Sequence, residues 1–420
     1  MSRKNNIIQV FEHQTLKVDR DPKFTKPHFK ALSAYGYKTK EKYYSVGNER
    51  IKFAQYVGVI QVNNLTIEIL PKADNTEIND SSKERWHNAL IGMLHVCKLI
   101  KLESISHAKL KLKSASILDL YYDAFLSGVE KLVKQRLIKQ YKCIDENLNK
   151  VKGKIKFREH IQKNYIHKER FFLEHNIYNI DNNLNQILLK ALIILSKIST
   201  SPQFNSRIKK LLLNFEDVTE KTITSSWFDS LKYNRNTERY KDSIILAKLI
   251  ILKYSPDLRG GRENVLAILF DMNRLYENYV YRKLKILETN PEIPIKRVKE
   301  QNRRPFWGNN NLRADIVVEC ESNNYVIDTK WKILKNNKPS DEDLKQMFVY
   351  NLHYDSNLSI LLYPKTTIDT YEKKPFRKDI FQDRNCQIAF TDLFNIDGSL
   401  NSNLGAQLYQ ELLKDEISQC

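Results

Sequence analysis

"ADIVVECESNNYVIDTKWK", residues 314–332, reads as two strands joined by a turn. Ile316, Val317 and Val318 before the turn and Tyr325, Val326 and Ile327 after it are β-branched or aromatic, as a buried sheet requires. Into this apolar pattern the chain sets Asp315, Asp328 and Lys330. A two-residue turn at Ser322–Asn323 predicts Asp315 directly opposite Lys330, with Asp328 as its diagonal neighbour; moving the turn to Asn323–Asn324 keeps the same parity. All three side chains then leave one face of the sheet, with Cβ atoms within about 5–8 Å of one another. An odd-length loop without a compensating bulge would split the set.

Two carboxylates converging in a dry site repel each other, and a lysine cannot ligate a metal, so the arrangement makes chemical sense with a divalent cation between the acids. Hard oxygen ligands with open positions suit Mg²⁺, which keeps several waters and accepts a phosphate oxygen. The chemistry implied is phosphodiester hydrolysis, with Lys330 stabilising developing charge or orienting water. Taken on the hairpin alone, a cross-strand salt bridge between Asp315 and Lys330 on an exposed edge, of little energetic consequence, accounts for the residues equally well.

The rest of the chain narrows the class. With 41% hydrophobic residues and only 11 glycines and 11 prolines in 420, it is globular rather than disordered or loop-dominated. A formal charge of +19 and a pI near 9.4 make a polyanion, nucleic acid first, the natural partner. No run approaches the roughly 20 apolar residues of a spanning helix, and "MSRKNNIIQVFEH" lacks a signal-peptide core, so the expectation is a cytoplasmic protein with no membrane role. The five cysteines are scattered and read as free thiols, and the histidines show no ligand spacing for structural zinc.

The expected fold class is α+β multidomain. Residues 1–175 form a β-rich N-terminal domain with helices, 176–260 a helical bridge, and 261–420 a mixed sheet flanked by helices. "YVGVIQVNNLTIEILPK" is a hairpin with a type I′ turn at Asn63–Asn64. "ERWHNALIGMLHVCKLI", after an Asp-Ser-Ser start, and "ILDLYYDAFLSGVEKLVKQRLIKQY" have helical spacing. "GKIKFREHI" alternates Lys154, Lys156 and Arg158 with Ile155 and Phe157, which predicts a strand whose basic face, with Lys152, contacts DNA phosphates or a protein partner, or is simply solvated. In the last third a long helix "VLAILFDMNRLYENYVYRKLKIL" precedes strands near 294–300, 314–320 and 325–331. A helix from Asp341 to about Leu352, strands "LSILLYP" and "QIAFTDL", and a helix "LGAQLYQELLKDE" follow.

These residues resemble the D…(D/E)-x-K core of the PD-(D/E)xK nuclease superfamily, with Asp315 as the first acid and Asp328, Thr329 and Lys330 as D-x-K; Ala314 stands where the superfamily name has proline. Glu277, in "FDMNRLYENYV", matches the helix-borne acid of many such nucleases. Gln346 and Tyr350, in "KQMFVY", match the Q-x-x-x-Y pair of the RecB-like branch, four residues apart and so on one helix face. With "VKGKIKFREHI", "DNNLNQILLKAL" and "DLKQMFVYNLHY" in the same order, the chain from about Tyr56 to Tyr363 resembles the McrC family, the nuclease subunit of modified-cytosine restriction systems.

The resemblance implies a PD-(D/E)xK endonuclease that acts on double-stranded DNA with modified cytosine. Mg²⁺ would be held by Asp315, Asp328 and the Thr329 carbonyl, its water shell steadied by Glu277, and Gln346 and Tyr350 would support the site. It also implies an McrB-type AAA+ GTPase partner, engaged and stimulated by the N-terminal portion. The chain has no G-x-x-x-x-G-K-[ST] loop, so GTP would be bound by that partner. The rival expectations are a non-catalytic DNA-binding or assembly module of the GTPase ring and a standalone repair nuclease.

Overall fold

Two compact units make up the computed structural model, one of them built from both ends of the chain: residues 1–117 with 269–420, and 118–268. The structure describes residues 6–18, 20–74, 77–100, 116–255, 264–321, 323–334, 338–365, 372–376, 384–414 and 417. The expected segments 1–175, 176–260 and 261–420 do not follow this grouping. Side-chain contacts between the first strands and the last third, invisible to a linear reading, hold the discontinuous unit together; the Trp331 indole N–H donating to Glu12 at 2.7 Å is one.

In this unit, Leu65–Leu70 lies between Ile7–Phe11, its parallel neighbour, and Tyr56–Val62, its antiparallel one. Val62 pairs with Leu65, so the turn falls on Asn63–Asn64 as expected. Only Asn63 takes a positive φ, 53°, so the turn is not type I′, which needs both central residues there. The Asn64 side chain is instead held by His28, 3.1 Å away. The helix Asp80–Val96 starts one residue earlier than its Asp-Ser-Ser signal: Asn79 caps it, accepting from the Ser82 N–H at 2.7 Å.

The last third forms a six-stranded mixed sheet in the order Ile295–Trp307, Asn310–Cys320, Asn324–Thr329, Ser356–Pro364, Asn385–Thr391, Glu372–Pro375. The first three strands form an antiparallel meander, and the next two run parallel to the third. The helix Asp341–His353 packs Met347 and Tyr350 onto Val317, Val326, Leu361 and Tyr363. The expected long helix is split: Val265–Asp271 is a strand and Met272–Lys285 the helix. The short apolar run "VLAILF" fits either state by periodicity. Asp271 decides the boundary by accepting from the N–H groups of Asn273 and Arg274. The C-terminal helix Leu404–Leu408 lies against that helix so closely that a Cβ on Gly405 would collide with the Lys283 carbonyl.

The second unit joins helices Asn183–Ile198, Pro202–Leu212 and Lys241–Lys253, the expected bridge, to a small sheet of Gln140–Leu148, Phe171–Asn179 and Lys154–Ile155. The basic stretch is a strand only at Lys154–Ile155; Phe157–Asn164 is a helix. Gly153 enters this sheet at φ 87°, where a Cβ would strike the Glu174 carbonyl. Cys97, Cys143, Cys320 and Cys386 are free thiols; Cys420 lies outside the described residues. Among the described residues no helix is long and apolar enough to cross a membrane.

Candidate active site

The central hairpin is shifted by one turn position from its expected register. Glu319 pairs with Asn324 and the Cys320 N–H donates to the Asn323 carbonyl at 3.0 Å, so the turn begins at Glu321; Ser322 is outside the described residues. Continued past the Ile316–Ile327 pair, this register sets Asp315 across from Asp328 rather than from Lys330. The shift is even, so Asp315, Asp328 and Lys330 keep a common face. It is also the face on which Met347 and Tyr350 pack, so the site is roofed by the Asp341–His353 helix rather than lying on an open edge.

Each side chain has a defined anchor. Thr329 donates both its N–H and its hydroxyl to Asp315 Oδ2, at 2.9 and 3.0 Å. Lys330 Nζ lies 2.7 Å from Asp328 Oδ2 and 3.4 Å from Asp343 Oδ1, and donates to Gln346 Oε1 at 3.3 Å. Gln346 Nε2 donates to the Tyr350 hydroxyl at 2.7 Å, which donates to the Arg313 carbonyl at 2.6 Å. The Q-x-x-x-Y pair therefore ties the lysine to the strand that carries Asp315. Lys330 approaches Asp328 as an ion pair outside hydrogen-bond direction, and the buried Oδ2 accepts no hydrogen bond.

Electrostatics mark this as a site short of positive charge. Asp328, 2% exposed, has its carboxyl pushed up to about 7 by burial and then by Asp315; Lys330 offsets only part. Burial raises Asp315 as well, against the lowering effect of Thr329. Glu277, 8% exposed on the Met272–Lys285 helix, is pushed up to about 7 by burial and the Asp315 charge, with Gln301 and Arg313 pulling the other way. Burial alone would lower the Lys330 ammonium, but Asp328 and Asp343 raise it, keeping it charged.

No three His, Cys, Asp or Glu side chains form a ready metal cage among the described residues. Asp315 and Asp328 nevertheless fit one hard cation: they face each other, one holds a buried oxygen without a hydrogen bond, burial raises both, and the Asp315 charge raises Asp328 further. Glu277 is close enough to feel both charges.

Residues 51–364 match the family model of the McrBC 5-methylcytosine restriction system component. The chain belongs to the McrBC family. A chain from the refined half-complex of the tetradecameric assembly of Thermococcus gammatolerans McrB AAA+ hexamers with bound McrC shares its fold at a TM-score of 0.70 and 20% identity, covering 97% of this chain and 100% of that one. A chain of the Thermococcus gammatolerans McrBC complex gives 0.51 and 20%, covering 68% and 88%. Among curated proteins there is no match.

In this McrBC-family chain several neighbours of the site escaped the sequence reading. Asp343, in the first turn of its helix, takes Lys332 at 2.7 Å besides Lys330, and these partners hold its carboxyl down at about 2 although burial opposes them. Its only sequence signal is the acidic run after the Ser340 cap. Gln301 lies across from Asp315, between the Glu300–Ile316 and Asn302–Ala314 pairs, and bends the strand at φ 44°. Such strain in a non-glycine strand residue collects at functional sites. Glu12, 319 residues from Trp331, carried no signal at all. Of the expected basic contacts, Lys152, Lys154 and Arg158 are exposed, but Lys156 is paired with Asp145 at 2.6 Å and Glu174 at 3.3 Å. One of its four charges is thus neutralised by the neighbouring strands.

Proposed function

We propose that this chain is the Mg²⁺-dependent endonuclease subunit of a GTP-driven restriction complex directed at DNA with modified cytosine, with a PD-(D/E)xK catalytic core. The observation that carries the reading is the meeting of Asp315, Asp328, Glu277 and Lys330 on one buried face, in an McrBC-family chain. When bound, Mg²⁺ supplies a positive charge that withdraws electrons from the scissile phosphate and eases deprotonation of a nearby water. Asp315 and Asp328, with the Thr329 carbonyl, form the seat. Lys330, kept protonated by Asp328 and Asp343, stabilises the charge that builds on the phosphate oxygens and orients the attacking water. Glu277, close enough to feel the Asp315 and Asp328 charges, would steady the water shell of the ion. Gln346 and Tyr350 hold Lys330 at its working distance.

The partner is an McrB-type AAA+ GTPase, the protein named in the solved assemblies that share this fold. The 140–179 region supports its engagement and stimulation: Tyr141, Phe157, Tyr165 and Ile166 are 69–84% exposed, far more apolar surface than a phosphate-tracking face needs. The test is reconstitution with the co-purifying GTPase, Mg²⁺, GTP and methylated duplex DNA. Lys330→Ala abolishes cleavage and leaves GTP hydrolysis intact; unchanged cleavage sinks the catalytic assignment, and GTP-independent cleavage by the chain alone favours a standalone nuclease.

A further inference from the structure

The first two strands of the six-stranded sheet extend past the active site as a hairpin arm. From Arg303 to Arg313 almost every residue is exposed, including Trp307 at 75% and Phe306 at 52%. Within the arm, Arg303 pairs directly with Arg313. Like charges directly opposite on one face destabilise a sheet. The Arg313 charge is felt by Asp315 and Glu277, which it pulls down, while no carboxylate comparably offsets Arg303 among the described residues. The pair lies two positions from Asp315, and Asp315 and Glu277 both feel the Arg313 charge, which sets the pair beside the site.

Setting one guanidinium against another opposes folding of the arm and suits a polyanion. We infer that the arm is the DNA grip of the nuclease site: Arg303 and Arg313 clamp the backbone next to the scissile phosphate, and Trp307 packs on the duplex beyond them. The substrate class rests on the nuclease reading above. The spacing suits it. Two strand residues, about 7 Å, separate Arg313 from Asp315, close to two nucleotides at about 3.4 Å of rise along one strand. The Trp307–Asn310 end lies about 17 Å from Asp315, about five base pairs. Phe306 rests edge-on against the His353 ring, 5.3 Å between centroids, which braces the tip on the roofing helix. Arg304 braces it further by donating to the His353 carbonyl at 2.5 Å.

The experiment measures fluorescence anisotropy of a labelled duplex with the full chain in chelator, between about 50 and 200 mM salt. Arg303→Ala and Arg313→Ala each lower affinity several-fold at low salt and reduce the log–log salt slope by about 0.9, as expected for one lost phosphate contact. The melting temperature of Arg303→Ala holds or rises, since the like-charge pair is gone. Arg303→Lys restores the slope. Trp307→Ala weakens binding without changing the slope. Unchanged affinity and slope in both arginine variants overturn the proposal, as does a loss confined to binding of the GTPase. Cleavage by Lys330→Ala is read separately, with Mg²⁺, GTP and the partner GTPase, and affinity and salt slope are read on the arginine variants in chelator, so a failed grip and a failed nuclease assignment give different results.

Discussion

Asp328→Asn turns the buried charge into a stability measurement. In the metal-free protein the Asp328 carboxyl sits near 7 against an ordinary value of 3.8. The folded state therefore holds its proton more tightly than the unfolded chain does, and ionising it costs stability progressively as pH rises from about 4 to about 7. Roughly three pH units at about 1.36 kcal/mol each set a ceiling of about 4 kcal/mol. The substitution also removes a partner of Lys330, which keeps Asp343 at 3.4 Å and Gln346 at 3.3 Å, so a net gain of about 1–2 kcal/mol near pH 8 is expected. At about 2–4 °C per kcal/mol this is a rise of a few degrees. Thermal melts of parent and variant in chelator, at about pH 5 and pH 8, show the two curves converging in acid and the variant ahead in base. Mg²⁺ then stabilises the parent and not the variant. A variant less stable than its parent at the higher pH, with no response of the parent to Mg²⁺, would refute the claim that this face is starved of a cation.

Other consequences are smaller and separable. Trp331→Phe keeps the ring among Trp86 and Tyr276 but leaves buried Glu12 with only the Lys72 N–H, and lowers stability by about 1–3 kcal/mol in a chemical melt. Gln301→Gly relieves the positive φ and stabilises by about 1 kcal/mol, while losing the carboxamide beside Glu277 slows cleavage at limiting Mg²⁺. Gly153→Ala destabilises by more than about 1 kcal/mol, and circular dichroism with proteolysis should localise the loss to the 140–179 sheet.

Local patterns in the sequence were enough for the elements that depend on near neighbours. The Asn63–Asn64 hairpin, the Asp341–His353 helix and the alternation that puts Asp315, Asp328 and Lys330 on one face follow from side-chain period and turn chemistry, which act over a few residues. Boundaries were less legible where an apolar run suits either state, as at Val265–Asp271, or where a basic alternation breaks into a helix, as after Ile155. The parity of the acids survived a turn misplaced by one residue because the strand repeat is two.

What sequence alone determined was therefore the chemistry available: which acids, which lysine and which supporting amide share a surface. Tertiary structure decided how that chemistry is tuned. It buried Asp328, brought Asp343 and Gln301 to the site, tied Trp331 to Glu12 from the far end of the chain, and set Arg303 against Arg313. Burial and charge pairing depend on which distant segments meet, and no periodicity along a chain encodes that meeting.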